Sequence, residues 1–201
     1  MTAPTLSGRM PFTLRVPPSW FVFDVWRATR TGDLARLVDG RIAADPRLRP
    51  WRGALLKALR SAAEHAERQG AVISAAMSDP FGADGVLVAV LTVFHTGGDP
   101  GGNTVQTIAA RITAGTDGAD WRRVEIVDRQ SGAAVRVCGV ETVHLGGHPV
   151  QCVVQHTLIP VPDGDGVLNV VLASPQAQLC EPMLDLFTAI SDSFAWAPQF
   201  T

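Results

Sequence analysis

The residues best suited to chemistry cluster late in the chain, where His144, His148, Cys152 and His156 follow one another at intervals of four. A pair of histidines four apart is a metal-ligand spacing when both rings project from one helical face. Here Gly146 and Gly147 separate them, which predicts a turn, and no glutamate completes an HExxH pattern. The pair therefore reads as two turn-flanking histidines, with no metal site. Cys152 and His156 would share one face of a strand, about 13 Å apart by the rise per residue, too far for the imidazole to activate the thiol. His156 alternates with Val154 and Leu158, so it reads as a core or groove histidine with a hydrogen-bond partner. His156 and His144 form the candidate set for an alternative role, a small-ligand carrier or enzyme with a pocket between sheet and helix.

Other catalytic patterns are missing from the chain. It has no G-x-S-x-G elbow, and the loop Gly97–Gly102 lacks the GK[ST] of a phosphate cradle. Asp163-Gly-Asp-Gly166 resembles a fragment of a calcium loop, but without a downstream glutamate it reads as a hairpin turn. Cys138, Cys152 and Cys180 show no CxxC spacing and are odd in number, against both a disulfide framework and a zinc site. His65 and His95 stand at no diagnostic spacing from a second reactive group. The expectation is a chain with no cofactor and no recognisable catalytic centre.

A different kind of site is suggested by Trp20, Phe21, Phe23 and Trp26, four large aromatic residues within seven positions. If the segment is extended, Phe21 and Phe23 share one face, with Trp20 and Trp26 on the other. Either both faces are buried, or one is an exposed apolar patch that binds another protein. These four are the candidate partner-binding residues.

Composition fits such a module. The chain has 201 residues, 46% of them hydrophobic and 18% charged, enough apolar material for one substantial core and too little charge for a disordered chain. The formal net charge of −2 offers no global attraction to nucleic acid or anionic lipid. Lys57 is the only lysine, and tyrosine is absent. This is the bias of a GC-rich genome, and arginine usage is not read as phosphate binding. No signal-peptide pattern precedes Phe12, and the longest apolar runs are shorter than the roughly 20 residues that span a bilayer. The expected location is the cytoplasm, without membrane insertion.

The elements that must position these residues are legible from periodicity. Phe12, Leu14 and Val16 alternate as in a half-buried strand, interrupted by Pro17 and Pro18. From Asp33, a candidate N-cap, Leu34, Leu37, Val38 and Ile42 follow helical spacing. Asp45 and Pro46 open a second helix whose apolar face runs Leu48, Trp51, Leu55, Leu59, Ala62, Ala63 and Ala66, and which Gly70 closes. Strands are predicted at Ala71–Ser78 and Val86–His95, with Leu87–Phe94 covered on both faces. A shorter helix follows at Thr104–Ala114. Strands then run at Arg122–Asp128, Ala133–Val143, Val150–Val161 and Val167–Ala173. A long helix over Pro175–Phe194 carries Leu179, Met183, Leu186, Phe187, Ile190 and Phe194 in one stripe.

This order, with Phe12-Thr-Leu-Arg-Val-Pro-Pro-Ser-Trp20 at the start and Val170-Val-Leu-Ala-Ser-Pro175 running to Ile190-Ser-Asp-Ser-Phe194, resembles the PsbP-like superfamily over most of the chain. The overall style is also similar to actinobacterial proteins of this length. That superfamily takes its name from an extrinsic photosystem II subunit and also holds bacterial lipoproteins and chaperones for secreted effectors. The resemblance implies an α/β (α+β) sandwich, a mainly antiparallel sheet covered by helices, and a non-catalytic adaptor, chaperone or assembly subunit. It transfers no functional residue. The expected organisation is one domain over 1–201, with 1–9 flexible. The expected partner is another protein, with self-association into a homo-oligomer through a sheet edge or the aromatic cluster as a further alternative.

Overall fold

The computed structural model describes residues 12–23, 30–81, 85–98, 102–115, 122–145, 148–162 and 166–197. The strands are β1 Phe12–Thr13, β2 Trp20–Phe23, β3 Ala71–Phe81, β4 Gly85–Thr96, β5 Arg123–Val127, β6 Ala134–Leu145, β7 His148–Pro160, β8 Val167–Ser174 and β9 Ala195–Trp196. The helices are α1 Arg30–Ala44, α2 Arg52–Arg68, α3 Val105–Ala114 and α4 Cys180–Asp192. Seven strands make one sheet in the order β2-β3-β4-β8-β7-β6-β5, and every neighbouring pair is antiparallel. The fold is the expected α+β sandwich with an antiparallel sheet.

Strand alternation assigns the two faces. Ile73, Ala75 and Met77 of β3, Ala89, Leu91 and Val93 of β4, and Leu168, Val170 and Leu172 of β8 form the main core with α4 and the segment Phe12–Val16. Met183, Leu184, Phe187 and Ile190 are the α4 side chains driven into it. On the opposite face, α1 and α2 bury Leu34, Val38, Leu55, Leu59 and Ala63 against β3 and β4. At the other end of that face, Ile108 of α3 packs on Val135 and Val137 of β6. The expectation that β4 is covered on both faces holds, because Ala89, Leu91 and Val93 belong to one cluster while Val90 and Phe94 pack on the other.

Polar groups fix α4 as well as apolar ones. Gln155 of β7, fully buried, donates to Ser191 Oγ at 3.0 Å and accepts from Thr188 Oγ1 at 3.1 Å. Arg129 donates to the Ser191 carbonyl at 3.0 Å, and Arg136 to Asp192 at 2.6 Å. Cations placed at the C-terminal turn of a helix satisfy carbonyls that the helix itself leaves unpaired.

Several boundaries differ from expectation for physical reasons. The opening strand shrinks to Phe12–Thr13, paired with β9, although Leu14 and Val16 stay buried. The ladder stops there because β9 is only two residues long and the Arg15 main chain bonds to Ser193 Oγ, at 2.9 Å from its N–H and 3.2 Å from its carbonyl, instead of to a strand. α1 begins at Arg30, so Asp33 is not its cap but sits in the first turn, paired with Arg36. Asp45 does cap the next element, accepting from Arg47 N at 3.1 Å, but that element is a 3-10 helix, Pro46–Trp51, which leads into α2. Gly70 closes α2 with φ +71°, as a C-cap glycine should. The long C-terminal helix is shorter than its stripe, because a 3-10 turn at Ala177–Leu179 precedes α4 and the helix stops at Asp192. Pro182 is the third residue of α4, where its missing N–H costs no intrahelical bond.

Between β8 and that turn, Gln176 reaches back to the sheet. Its Nε2 donates to Val86 O at 3.1 Å, and its Oε1 accepts from Val88 N at 3.3 Å. The β4–β8 ladder ends at Val90, so the side-chain amide takes the place of a strand over the start of β4.

Candidate functional site

Of the aromatic candidates, Trp20 lies opposite Met77 on the main-core face and is 6% exposed, with its indole N–H buried and without a protein hydrogen-bond partner. It is a core residue, which corrects its assignment to a partner-binding patch. Phe21 lies on the other face opposite Ala76 and is half-buried. Trp26 and the side chain of Phe23 lie outside the described residues.

Two other aromatics do stand out, Trp51 at 43% exposure and Phe81 at 45%. Trp51 was expected on the buried face of the second helix. The expected helix is interrupted there, because Pro46–Trp51 is a 3-10 helix with Trp51 as its last residue and α2 begins only at Arg52. Leu48 turns inward, while Trp51 turns out. Phe81 is exposed because β3 runs past Pro80, three residues beyond the predicted end. α2 and β3 are joined by a tight turn at Gly70 and run back against each other, which brings the start of α2 and the end of β3 to one end of the sandwich. Arg41, in the last turn of α1, donates to the Ser78 carbonyl at 3.4 Å and pairs with Asp79, fixing that end. Arg52 holds Asp39 through two hydrogen bonds of 2.6 and 2.9 Å, tying α2 to α1 beside Trp51.

The histidine candidates separate. The rings of His144 and His148 lie outside the described residues, although the backbones pair within the β6–β7 hairpin. His156 sits on the helix-divided face, opposite Val171 of β8 and Val137 of β6. Its Nδ1 is 3.3 Å from Asn169 Nδ2, and Asn169 Oδ1 is buried without a protein partner. Burial depresses the His156 pKa below the usual 6.5, against the opposing pull of Glu141 and the Asn169 bond, with Arg122 adding slightly to the depression. Cys152 lies on the same face, opposite Glu141, and its thiol is pushed up by burial and then by that carboxylate. A neutral imidazole and a protonated thiol in this setting are poor partners for nucleophilic catalysis. Cys180, half-buried at the start of α4, is likewise pushed up by burial and by Glu181.

The direction of the His156 shift has a measurable consequence. With the folded pKa below the unfolded one, the unfolded chain binds the extra proton, so stability rises with pH. The contribution is complete above the unfolded value and is lost as pH falls through it toward the folded value. His156→Gln is expected to flatten the dependence of the urea midpoint on pH between about pH 7.5 and pH 5, while the wild type loses stability over that window. Parallel slopes for the two proteins would show that His156 is not held neutral.

Among the described residues, no group of three or more His, Cys, Asp or Glu is placed to hold a metal, and no helix is long and apolar enough to cross a membrane. The site is thus carried by an α+β sandwich whose antiparallel sheet packs one face on α4 and the segment Phe12–Val16 and the other on two helical layers. No protein-family model matches the chain, and no curated protein does. Among solved structures, it is similar to LpqN of Mycobacterium tuberculosis, described as involved in cell envelope biogenesis. The likeness covers 95% of this chain and 86% of that one at 12% identity, with a TM-score of 0.42. It carries neither the PsbP-like assignment nor an activity to this chain.

Proposed function

We propose that this protein is a non-catalytic protein-binding module, of adaptor or chaperone type, that engages its partner at the end of the sandwich bearing Trp51 and Phe81. The observation that carries the reading is their exposure, 43% and 45%, where Phe12, Phe187 and Phe194 are buried to 3% or less. Large aromatics bring roughly 150–250 Å² of area each and are enriched among the residues that dominate binding energies. The Asp45 cap and the Asp39–Arg52 pair hold the segment around Trp51, and Arg41 holds β3 at Ser78 and Asp79, near Phe81. Little ordering cost would be added on binding.

The test is affinity capture from native cells with the wild type and with a Trp51→Ala, Phe81→Ala double variant, followed by titration of the purified partner. The wild type should retain one stoichiometric protein. The double variant should keep its circular dichroism spectrum and lose affinity by about 30-fold or more, roughly 1 kcal/mol or more from each anchor. Undiminished affinity in the folded variant would remove this surface from the reading.

A further inference from the structure

β5 closes one end of the seven-stranded sheet, laddered to β6 from Arg123 opposite Cys138 to Val127 opposite Ala134. The outer side of such a strand presents unpaired N–H and C=O groups, a template for a further strand. Its sequence, RVEIV, carries no proline or lysine to block addition. Arg123 and Glu125 alternate on the α4 face, and Val124 and Ile126 point to the other, with Ile126 47% exposed. Glu125 is 39% exposed at its side chain, and its contact with Arg136 is long, 3.4 Å.

A second copy of the chain could add here only in certain registers. A two-fold axis perpendicular to the sheet keeps the same face up in both copies, so residues directly opposite must share a face, and the axis must pass through a residue. An axis through Arg123 sets arginine against arginine, and one through Glu125 sets glutamate against glutamate. An axis through Ile126 or Val127 carries the pairing past the end of β5 onto Arg129, whose guanidinium is already bound to the Ser191 carbonyl. An axis through Val124 sets each Arg123 opposite the Glu125 of the other copy, twice, with the two valines facing at the centre. Opposite charges directly across a ladder are favourable, and like charges are not.

We propose that β5 pairs antiparallel with β5 of a second copy about a two-fold axis through Val124, joining the two sheets into one. The self-complementary order of Arg123 and Glu125 selects the partner and the register. A five-residue edge makes a small interface, so the dimer is concentration-dependent.

Sedimentation velocity over a concentration series reads this directly. The wild type should show a monomer–dimer equilibrium. Arg123→Glu and Glu125→Arg should each weaken it by about tenfold or more, since two attractive pairs become two repulsive ones. An equimolar mixture of the two variants should recover the dimer, because one strand then presents two carboxylates to the two guanidinium groups of the other. Glu125→Gln, which keeps the side chain's size beside Arg136, substitutes if Glu125→Arg fails to fold, and should weaken the dimer without a rescue. A wild type that stays monomeric at about 1 mM, folded variants that dimerise as the wild type does, or a mixture of folded charge-reversed variants that stays monomeric would each overturn the proposal. Arg123→Glu should leave partner capture at Trp51 and Phe81 intact, so the two proposals fail separately.

Discussion

Phe187→Ala is expected to destabilise the protein by about 4 kcal/mol, the usual cost of emptying a fully buried aromatic site. Phe187 is 0% exposed and lies at the centre of the α4 contribution to the main core. Its backbone also matters, because the Phe187 carbonyl accepts from Ser191 Oγ at 2.8 Å, and Ser191 in turn receives the Gln155 amide. A collapse of α4 toward the vacated space would strain that chain of hydrogen bonds, so the cavity should stay largely open. At roughly 2–4 °C per kcal/mol for a chain of this size, the thermal midpoint should fall by about 12 °C. Thermal denaturation followed by circular dichroism checks it. A drop of only a few degrees would mean that α4 repacks freely and that the polar network does not hold it.

Gly166→Ala should cost about 3 kcal/mol through a different mechanism. Gly166 has φ +112°, a region that residues with a Cβ rarely adopt. A Cβ there would overlap the Thr96 carbonyl and come within 2.8 Å of His95 Nε2 and 3.1 Å of Gly97 Cα. Two of those three neighbours are backbone, so the clash cannot be relieved by turning a side chain, and strain adds to overpacking. The Gly166 carbonyl also accepts from Val161 N at 3.0 Å, closing the connection from β7 to β8. Urea unfolding of this variant should show a lower midpoint with an unchanged slope. Wild-type stability would show that the connection between β7 and β8 moves as a unit.

The elements with strong periodicity were legible in the sequence, and the exceptions have local causes. β6, β7 and β8 come within two residues of expectation, because alternation over eight or more residues and flanking glycines specify a strand on their own. α3 is one residue short of its predicted start, with Thr104 as its cap, its side chain accepting from Thr107 N at 3.2 Å. The candidate surface was less legible. Trp51 carries the right spacing for a buried helical position, but it ends a separate 3-10 segment before α2 begins, and nothing in the local pattern marks that junction. Trp20 sits in an aromatic cluster that sequence alone leaves open between core and patch, and pairing with β3 resolves it toward the core. The His156–Asn169 contact joins neighbouring strands β7 and β8 through a register that no local pattern specifies.

The side chain of Gln176 bears on how this protein closes a gap inside its sheet. Where β8 falls short of the start of β4, a stretch of main chain at Val86 and Val88 would be open to any extended segment that came along. A single amide occupies those groups, and Ser174 Oγ, 2.6 Å from Gln176 Oε1, steadies it. Removing it, as in Gln176→Ala, would turn a sealed seam in the middle of the sheet into a sticky notch, through which aggregation would enter before unfolding.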